Sequence, residues 1–202
     1  LRRRAAYEPL LDIRDVPVRE IRVPFRVIEW AWKYLHWPTL ERLTGQLDLY
    51  HVAGMHAPPA REATILLTVH GIAPEVIPEL LPARLVASAR AVLRTSMKYA
   101  DYYLAVSETT RDDMVKHLGI DGERIFVVSH GVDPIFRPPS DRVALASRLK
   151  MRFGIGRPYI LYVGAIGRHK NVMGVLEAYK ALQAHGLGGH DLWLVGPPDS
   201  AW

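Results

Sequence analysis

The sequence contains no cysteine. Disulfides and thiolate metal sites are therefore excluded, and the composition fits a reducing compartment. The sequence also lacks any apolar run close to the roughly 18 residues that a membrane span requires, and no signal-peptide pattern opens it. We therefore expect a cytoplasmic protein that contacts, at most, the cytoplasmic face of a membrane.

Metal-binding patterns are missing as well. No Asp-x-Asp occurs, and no cluster of Asp, Glu or His has the spacing of divalent-metal ligands, so we expect neither a metal nor another cofactor. The net charge is +5 and the pI is near 9.6, which favours anionic partners such as phosphates, nucleotides or anionic lipid. Nucleic acid is not expected, because the arginines are dispersed and the aromatic–basic pattern of RNA-binding modules is absent.

The first two thirds of the chain alternate between short apolar runs and helical periodicity. The runs are continuously hydrophobic, which is typical of parallel strands covered on both faces, and the alternation predicts a doubly wound α/β layer. Thr109 with Asp112 fits a helix N-cap pair, and Gly119 fits a left-handed C-cap. The predicted strands are residues 48–52, 64–70, 103–107 and 125–129, and the predicted helices are residues 26–43, 82–99 and 109–118.

A stiff segment at residues 131–140, rich in proline and without periodicity, predicts a linker between domains. The α/β pattern restarts after it, with helices at 141–153 and 171–185 and strands at 159–163 and 191–195. We therefore predict an amino-terminal domain at residues 1–130 and the start of a second domain at 141–202. Two strands cannot close a core, so we expect both domains to be incomplete, in a fragment that lacks both ends.

The loop after the predicted strand 159–163 has the features of an anion site. Gly164 ends the strand, Arg168 and Lys170 lie in the loop, and Asn171 opens the next helix. A helix start offers backbone N–H groups and a partial positive charge, to which Arg and Lys add full charges. The segment therefore predicts phosphate binding, although on spacing alone a solvated loop explains it equally well. It is neither a Walker A nor a G-x-G-x-x-G sequence.

Six short motifs resemble, in order and in spacing, those of the retaining GT-B glycosyltransferases of family 4, also called glycosyl transferases group 1. The resemblance covers residues 48–196 and implies two Rossmann-like domains, with an acceptor on the first and a nucleotide-sugar donor on the second. It implies metal-independent transfer of a hexose, with retention, to a glycan, lipid or small molecule. The motifs are Asp48-x-x-His51, Thr68-Val69-His70-Gly71, Ala105-Val106-Ser107-Glu108, His130-Gly131-Val132-Asp133, Tyr162-Val163-Gly164 with Lys170-Asn171, and Leu194-Val195-Gly196.

The resemblance also implies roles for single residues. Gly164, Lys170 and Asn171 match the donor-diphosphate positions of the family, whereas Arg168 stands beside the position where the family commonly has its Arg. His70 matches the strand-end histidine at the acceptor–donor junction and is the candidate catalytic residue. For a histidine at such a position, a buried and satisfied core residue is the alternative.

Five further residues are candidates for the cleft: Gly71, Ser107, Glu108, His130 and Gly131. Gly71 replaces an Asp of the family, and His130 replaces an Asn. Ser107 and Glu108 are explained equally well by a helix cap, and Gly131 by a turn.

Two parts of the family's machinery are missing from the sequence: the first glycine-rich loop and a pair of glutamates, since no Glu follows Glu177. The fragment is therefore expected to be inactive alone. Two other functions stay open, a non-catalytic nucleotide- or sugar-phosphate-binding module and a GT-B nucleotide-sugar epimerase.

Two helical segments raise the possibility of peripheral contact with an anionic membrane. An aromatic segment combines with Lys33, and a cationic stripe recurs at intervals of four residues. Core packing of the aromatics and a solvated cationic face are the alternative. The residues are Trp30, Trp32, Tyr34 and Trp37 in the first segment and Arg90, Arg94 and Lys98 in the second.

Overall fold

The computed structural model describes residues 23–186 and 188–198, in which helices alternate with strands. The α-helices are α1 (Phe25–Leu35), α2 (Leu40–Thr44), α3 (Ala73–Val76), α4 (Ala83–Met97), α5 (Glu108–Leu118), α6 (Arg142–Phe153) and α7 (Val172–Ala184). The strands are β1 (Leu49–Val52), β2 (Thr64–Val69), β3 (Tyr102–Ala105), β4 (Ile125–Val127), β5 (Tyr159–Val163) and β6 (Asp191–Val195), with 3₁₀ turns at Pro78–Leu80, Gly122–Arg124 and Arg168–Lys170.

The strands form two sheets. One has four strands in the order β1-β2-β3-β4, and the other pairs β5 with β6. β1 runs parallel to β2 in a register that pairs Val52 with Leu67, and β5 runs parallel to β6 in a register that pairs Val163 with Val195. The predicted α/β class is confirmed, because helices alternate with strands and the pairings β1–β2 and β5–β6 are parallel.

One compact unit contains residues 23–68 and 92–104 of the described part. Its core includes Ile65, Leu67 and Tyr103, each at most 2% exposed. The loop between β1 and β2 is tied to this unit by polar contacts. Buried Ser96 donates to the carbonyl of Met55, and its Oγ accepts a bond from the backbone N–H of Ala57 at 2.9 Å.

Glu41 fixes the end of the same loop. Its Oε1 accepts backbone N–H bonds from Arg61 at 2.8 Å, Glu62 at 3.0 Å and Ala63 at 3.3 Å. The bond from Glu62, followed by the others, lowers the pKa of Glu41 from 4.5 to about 2, because backbone N–H donors favour the charged carboxylate. The residue is therefore ionised at neutral pH and holds the chain that leads into β2.

The second compact unit contains residues 69–91 and 105–198 of the described part. Its most buried side chains include Ala105 and Met114, both 0% exposed, and Val172 at 2%. Arg90 of α4 lies in this unit and binds Glu75 at 3.1 Å and the carbonyl of Pro74 at 3.1 Å. Within the predicted cationic stripe, Arg90 therefore already has partners.

The predicted helix at residues 26–43 is wrong in its extent. α1 ends at Leu35, His36 adopts a left-handed conformation with φ 50°, and a second helix begins at Leu40. Pro38 explains the break, because proline has no N–H to donate and disfavours helical backbone at the residue before it.

The predicted N-cap of the helix after β3 is also wrong. Ser107, not Thr109, caps α5, since its side chain accepts a bond from the N–H of Thr110 at 3.1 Å. β3 ends at Ala105, two residues before its predicted end, which leaves Ser107 in the extended conformation that an N-cap requires. The C-cap prediction is confirmed, because Gly119 has φ 65°.

The predicted linker, residues 131–140, is exposed throughout and contains neither helix nor strand. The domain boundaries remain predictions, and the outer ends of the two domains, residues 1–22 and 199–202, lie outside the described residues. None of the helices in the described part is long and apolar enough to cross a membrane.

Candidate functional site

The loop between β5 and α7 begins at Gly164, whose N–H donates to the carbonyl of Val195 at 3.0 Å. The N–H of Ile166 then donates to the carbonyl of Pro197 at 2.9 Å, so the loop after β5 runs beside the chain that leaves β6. Because two parallel strands end side by side here, their carboxyl ends together form the floor of this candidate site.

Tyr162 holds the loop from the strand side. Its hydroxyl donates to the carbonyl of Ala165 at 2.8 Å, and a Cβ placed on Gly164 would lie 3.0 Å from the same hydroxyl. In the sequence, Tyr162 stands out only as part of a motif. No sequence signal indicates that its ring folds back over the loop, since this depends on the turn after the strand.

Gly196 is a second residue that sequence reasoning did not assign to the site. A Cβ on Gly196 would lie 1.9 Å from the carbonyl oxygen of Gly164 and 2.7 Å from its carbonyl carbon. Only glycine allows the backbones at the ends of β5 and β6 to approach this closely. Its position after a strand, matching that of Gly164, is the signal that could have assigned it to the site.

Arg168, His169 and Lys170 form one 3₁₀ turn directly before α7. Arg168 and Lys170 are exposed, and His169 is half-buried. Within residues 23–186 and 188–198, neither Arg168 nor Lys170 forms an ion pair with a carboxylate. Both cations are exposed to solvent on the same turn.

Asn171 connects this turn to α7. It has the left-handed conformation, with φ 51°, and its N–H donates to the carbonyl of Arg168 at 3.0 Å. Its side chain makes no capping hydrogen bond but lies against Gly174, where an added Cβ would be 2.6 Å from the Asn171 amide nitrogen. Asn tolerates left-handed backbone better than most residues, so Asn171 shapes the turn at the helix start.

The other predicted residues follow strands of the four-stranded sheet. His70 comes directly after β2, His130 comes three residues after β4, and both are exposed. The Nδ1 atom of His70 lies 3.3 Å from the Nε2 atom of His130. The predicted catalytic residue is thus in contact with one of the five predicted cleft residues.

The remaining cleft candidates are placed less specifically. Ser107 uses its hydroxyl to cap α5, and Glu108 is exposed and lies 3.5 Å from Arg111, one turn along the same helix. Gly71 follows His70 with φ 151°, and Gly131 is exposed in the predicted linker. The roles of these residues as cleft residues remain predictions. Among the described residues, no group of three or more metal-ligating side chains is assembled.

A parallel α/β protein in which glycines and cations follow a strand and precede a helix has the layout of many phosphate-binding proteins. The chain belongs to glycosyltransferase family 4, whose family model matches residues 2–136.

Two curated relatives are similar to parts of this chain. The O-antigen chain mannosyltransferase B of Escherichia coli is 26% identical over 136 residues, which cover 66% of this chain and 35% of that protein. The alpha-maltose-1-phosphate synthase of Mycolicibacterium smegmatis (strain ATCC 700084 / mc(2)155) is 33% identical over 92 residues, which cover 43% of this chain and 23% of that protein. The chain thus matches about a third or less of each relative's length.

Among solved structures, a glycosyltransferase from Rickettsia africae ESF-5 aligns with 96% of this chain and 57% of its own chain. The sequence identity is 18% and the TM-score is 0.42.

Proposed function

We propose that this chain is part of a retaining glycosyltransferase that moves a hexose from a nucleotide-diphospho-sugar to a glycan, a lipid or a small molecule. The observation that carries the proposal is the loop after β5, where Gly164, Arg168 and Lys170 precede the start of α7. Membership of glycosyltransferase family 4 and the name of one curated relative, a mannosyltransferase, support the transfer of a sugar.

The β5 loop would receive the diphosphate of the donor. Negative charge grows on the diphosphate as its bond to the anomeric carbon breaks, so a cation held nearby stabilises the transition state more than the ground state. Lys170 and Arg168 supply that charge, and the first N–H groups of α7 add the partial charge of a helix start. Gly164 is assigned to the same donor site because it matches the strand-end glycine of the family, and the Tyr162 hydroxyl packs against the position that a Cβ would occupy.

The acceptor side of the reaction is assigned to His70. It is exposed directly after β2 and is followed by Gly71, so a ligand can approach the ring from solvent. In an α/β fold, ligands bind outside the carboxyl ends of the strands, which is where His70 lies. We assign His70 a contact with the reacting sugar at the junction of donor and acceptor.

The reaction is proposed to need no metal, since Arg168 and Lys170 take over the neutralisation that a divalent ion provides in other transferases. Activity of the full-length protein should therefore survive EDTA. Loss of activity in EDTA, with recovery on addition of magnesium or manganese, would contradict this part of the proposal.

Peripheral contact with the cytoplasmic face of an anionic membrane is proposed for α1. Its buried side carries Ile28 and Ala31, whereas Trp30 and Tyr34 are 55% and 59% exposed, next to Lys33. Exposed aromatic rings beside a cation are typical of helices that lie at a membrane interface. Co-sedimentation with vesicles that contain anionic lipid, and not with neutral vesicles, is the expected result, and a Trp30→Ser/Tyr34→Ser double variant should weaken it.

The decisive experiment is an activity assay on the full-length protein with a panel of nucleotide-diphospho-hexoses and candidate acceptors. The expected product has the anomeric configuration of the donor, as read by the NMR coupling of the anomeric proton. An inverted product would contradict retention. Tight binding of nucleoside diphosphates without turnover would instead indicate a binding module, and isomerised donor without any acceptor would indicate an epimerase.

A further inference from the structure

His70 directly follows β2, and His130 lies three residues after β4. β3 lies between these two strands, so β2 and β4 are about 10 Å apart, two strand spacings. The two imidazole rings nevertheless come into contact. The Nδ1 atom of His70 and the Nε2 atom of His130 meet at 3.3 Å.

The rings are nearly parallel, and their centroids are farther apart than those of rings stacked directly face to face. The ring planes differ by 16°, and the centroids are 5.2 Å apart. Rings in face-to-face van der Waals contact would have planes about 3.5–4 Å apart and no reason to bring two nitrogens together. Nearly parallel rings with two nitrogens in contact can instead direct an N–H of one ring, which lies in the ring plane, at the nitrogen of the other.

The backbone is held in place at His70 and up to two residues before His130. The N–H of Val128 donates to the carbonyl of Ala105 at 2.9 Å, which extends the pairing beside β3 to two residues before His130. On the other side, Val69 and Ile72 flank His70 and Gly71 and are at most 5% exposed. The His70 ring thus extends into solvent from backbone that buried residues flank on both sides.

Such a bond links the protonation of the two side chains. When both rings are neutral, one nitrogen must donate and the other must accept, so the tautomer of His70 is determined by that of His130. If Nδ1 of His70 accepts the hydrogen bond, the ring proton of His70 lies on its own Nε2. If Nδ1 of His70 donates the bond, Nε2 of His70 is left as an acceptor. A histidine that contacts a reacting sugar needs a single one of these states, in one orientation.

We infer that His130 is a positioning residue for His70: through the 3.3 Å contact it fixes the ring orientation of His70 and selects one tautomer. This inference rests on the proposed function, in which His70 contacts the reacting sugar. His130 itself need not touch substrate.

Two variants at residue 130 separate positioning from bulk in the full-length protein. His130→Phe keeps the size of the ring but removes the hydrogen bond, and should lower kcat by about 10- to 10²-fold, the cost of a misplaced catalytic group. The KM for the donor should stay within about twofold, because no donor contact is lost. His130→Gln retains an amide that can donate or accept close to the position of Nε2, the nitrogen that contacts His70, and should recover most of the lost kcat.

A double-variant cycle makes the test sharper. In a His70→Ala background, His130→Phe should have no further effect, because a positioning residue acts only through the group that it positions. Additive losses of kcat would overturn the inference, as would equal losses for His130→Phe and His130→Gln. His117→Phe, a change at an exposed histidine of α5, is the matched control and should leave kcat unchanged.

Long-range ¹H–¹⁵N NMR of the histidine rings gives a readout that does not depend on activity. Wild-type His70 should show one neutral tautomer at alkaline pH, and His130→Phe should convert it to a mixture of both. An unchanged His70 spectrum in His130→Phe would overturn the inference whatever the activity. If the spectrum changes but the wild-type protein transfers no sugar, the pairing of His70 with His130 is supported and the proposed function is refuted.

Discussion

The two sheets of this chain arise from the same kind of sequence but lie in different surroundings. In the four-stranded sheet, Ile65 and Leu67 are each 1% exposed, whereas in the two-stranded sheet Leu161 is 52% and Val163 is 71% exposed. A continuous apolar run predicts a strand in both cases. It does not predict how many layers cover that strand, so equal hydrophobicity produces unequal burial.

This difference determines how each candidate site is held. At the end of β2, His70 extends from backbone that is flanked by the buried residues Val69 and Ile72. At the end of β5, the glycine loop relies on hydrogen bonds from Tyr162, Gly164 and Ile166. We therefore expect the four-stranded sheet to be sensitive to lost apolar volume and the β5 loop to be sensitive to changes in its backbone.

The largest effect is expected for Leu67→Ala compared with Leu161→Ala. Removing a fully buried leucine leaves a cavity and should lower the free energy of unfolding by about 2–5 kcal/mol. The same change at half-exposed Leu161 should cost about 1 kcal/mol or less, because less apolar surface returns to water. Urea denaturation followed by circular dichroism measures both values. Equal costs would show that the contrast between the sheets does not exist in solution.

A smaller effect is expected for Gly196→Ala. The new Cβ would collide with the carbonyl of Gly164 at 1.9 Å, so the two strand ends must separate, at a cost of about 1–3 kcal/mol. Because the β5 loop must shift with them, calorimetry should also show weaker binding of nucleoside diphosphate. Gly189→Ala is the matched control, since a Cβ there meets nothing within 4 Å. Normal binding by Gly196→Ala would show that the loop tolerates a shift.

The smallest effect concerns Glu41, which lies away from both candidate sites. Glu41→Gln should lower the free energy of unfolding by about 1 kcal/mol at pH 7, because charge-assisted hydrogen bonds to three backbone N–H groups become neutral ones. The folded pKa of about 2 lies below the unfolded 4.5, so the wild-type advantage is complete above pH 4.5 and is lost as the pH falls toward 2. Unfolding curves from pH 2 to 7 measure it, and a difference independent of pH would contradict the role of the charge.

The sequence was sufficient for the α/β alternation, the position of each strand and the residues that come to lie at strand ends. Local signals explain this success, since apolar runs and glycine caps such as Gly119 act over a few residues. The break at Pro38 was missed, although its signal is also local. The contact of His70 with His130 and the approach of Gly196 to Gly164 could not be predicted, because they depend on strand order and on the spacing between neighbouring backbones.

Lys170 is the residue proposed to neutralise the diphosphate that leaves the donor. The most direct test compares the turnover of Lys170→Ala and wild type in the full-length protein, with Lys180→Ala, an exposed lysine of α7, as the control. Lys170→Ala should lower kcat by about 10²- to 10³-fold, as expected for the loss of one preorganised electrostatic group, with a change in stability within about 0.5 kcal/mol. Wild-type turnover in Lys170→Ala, or a larger loss in His169→Ala, would contradict the account and assign the phosphate contact to another residue.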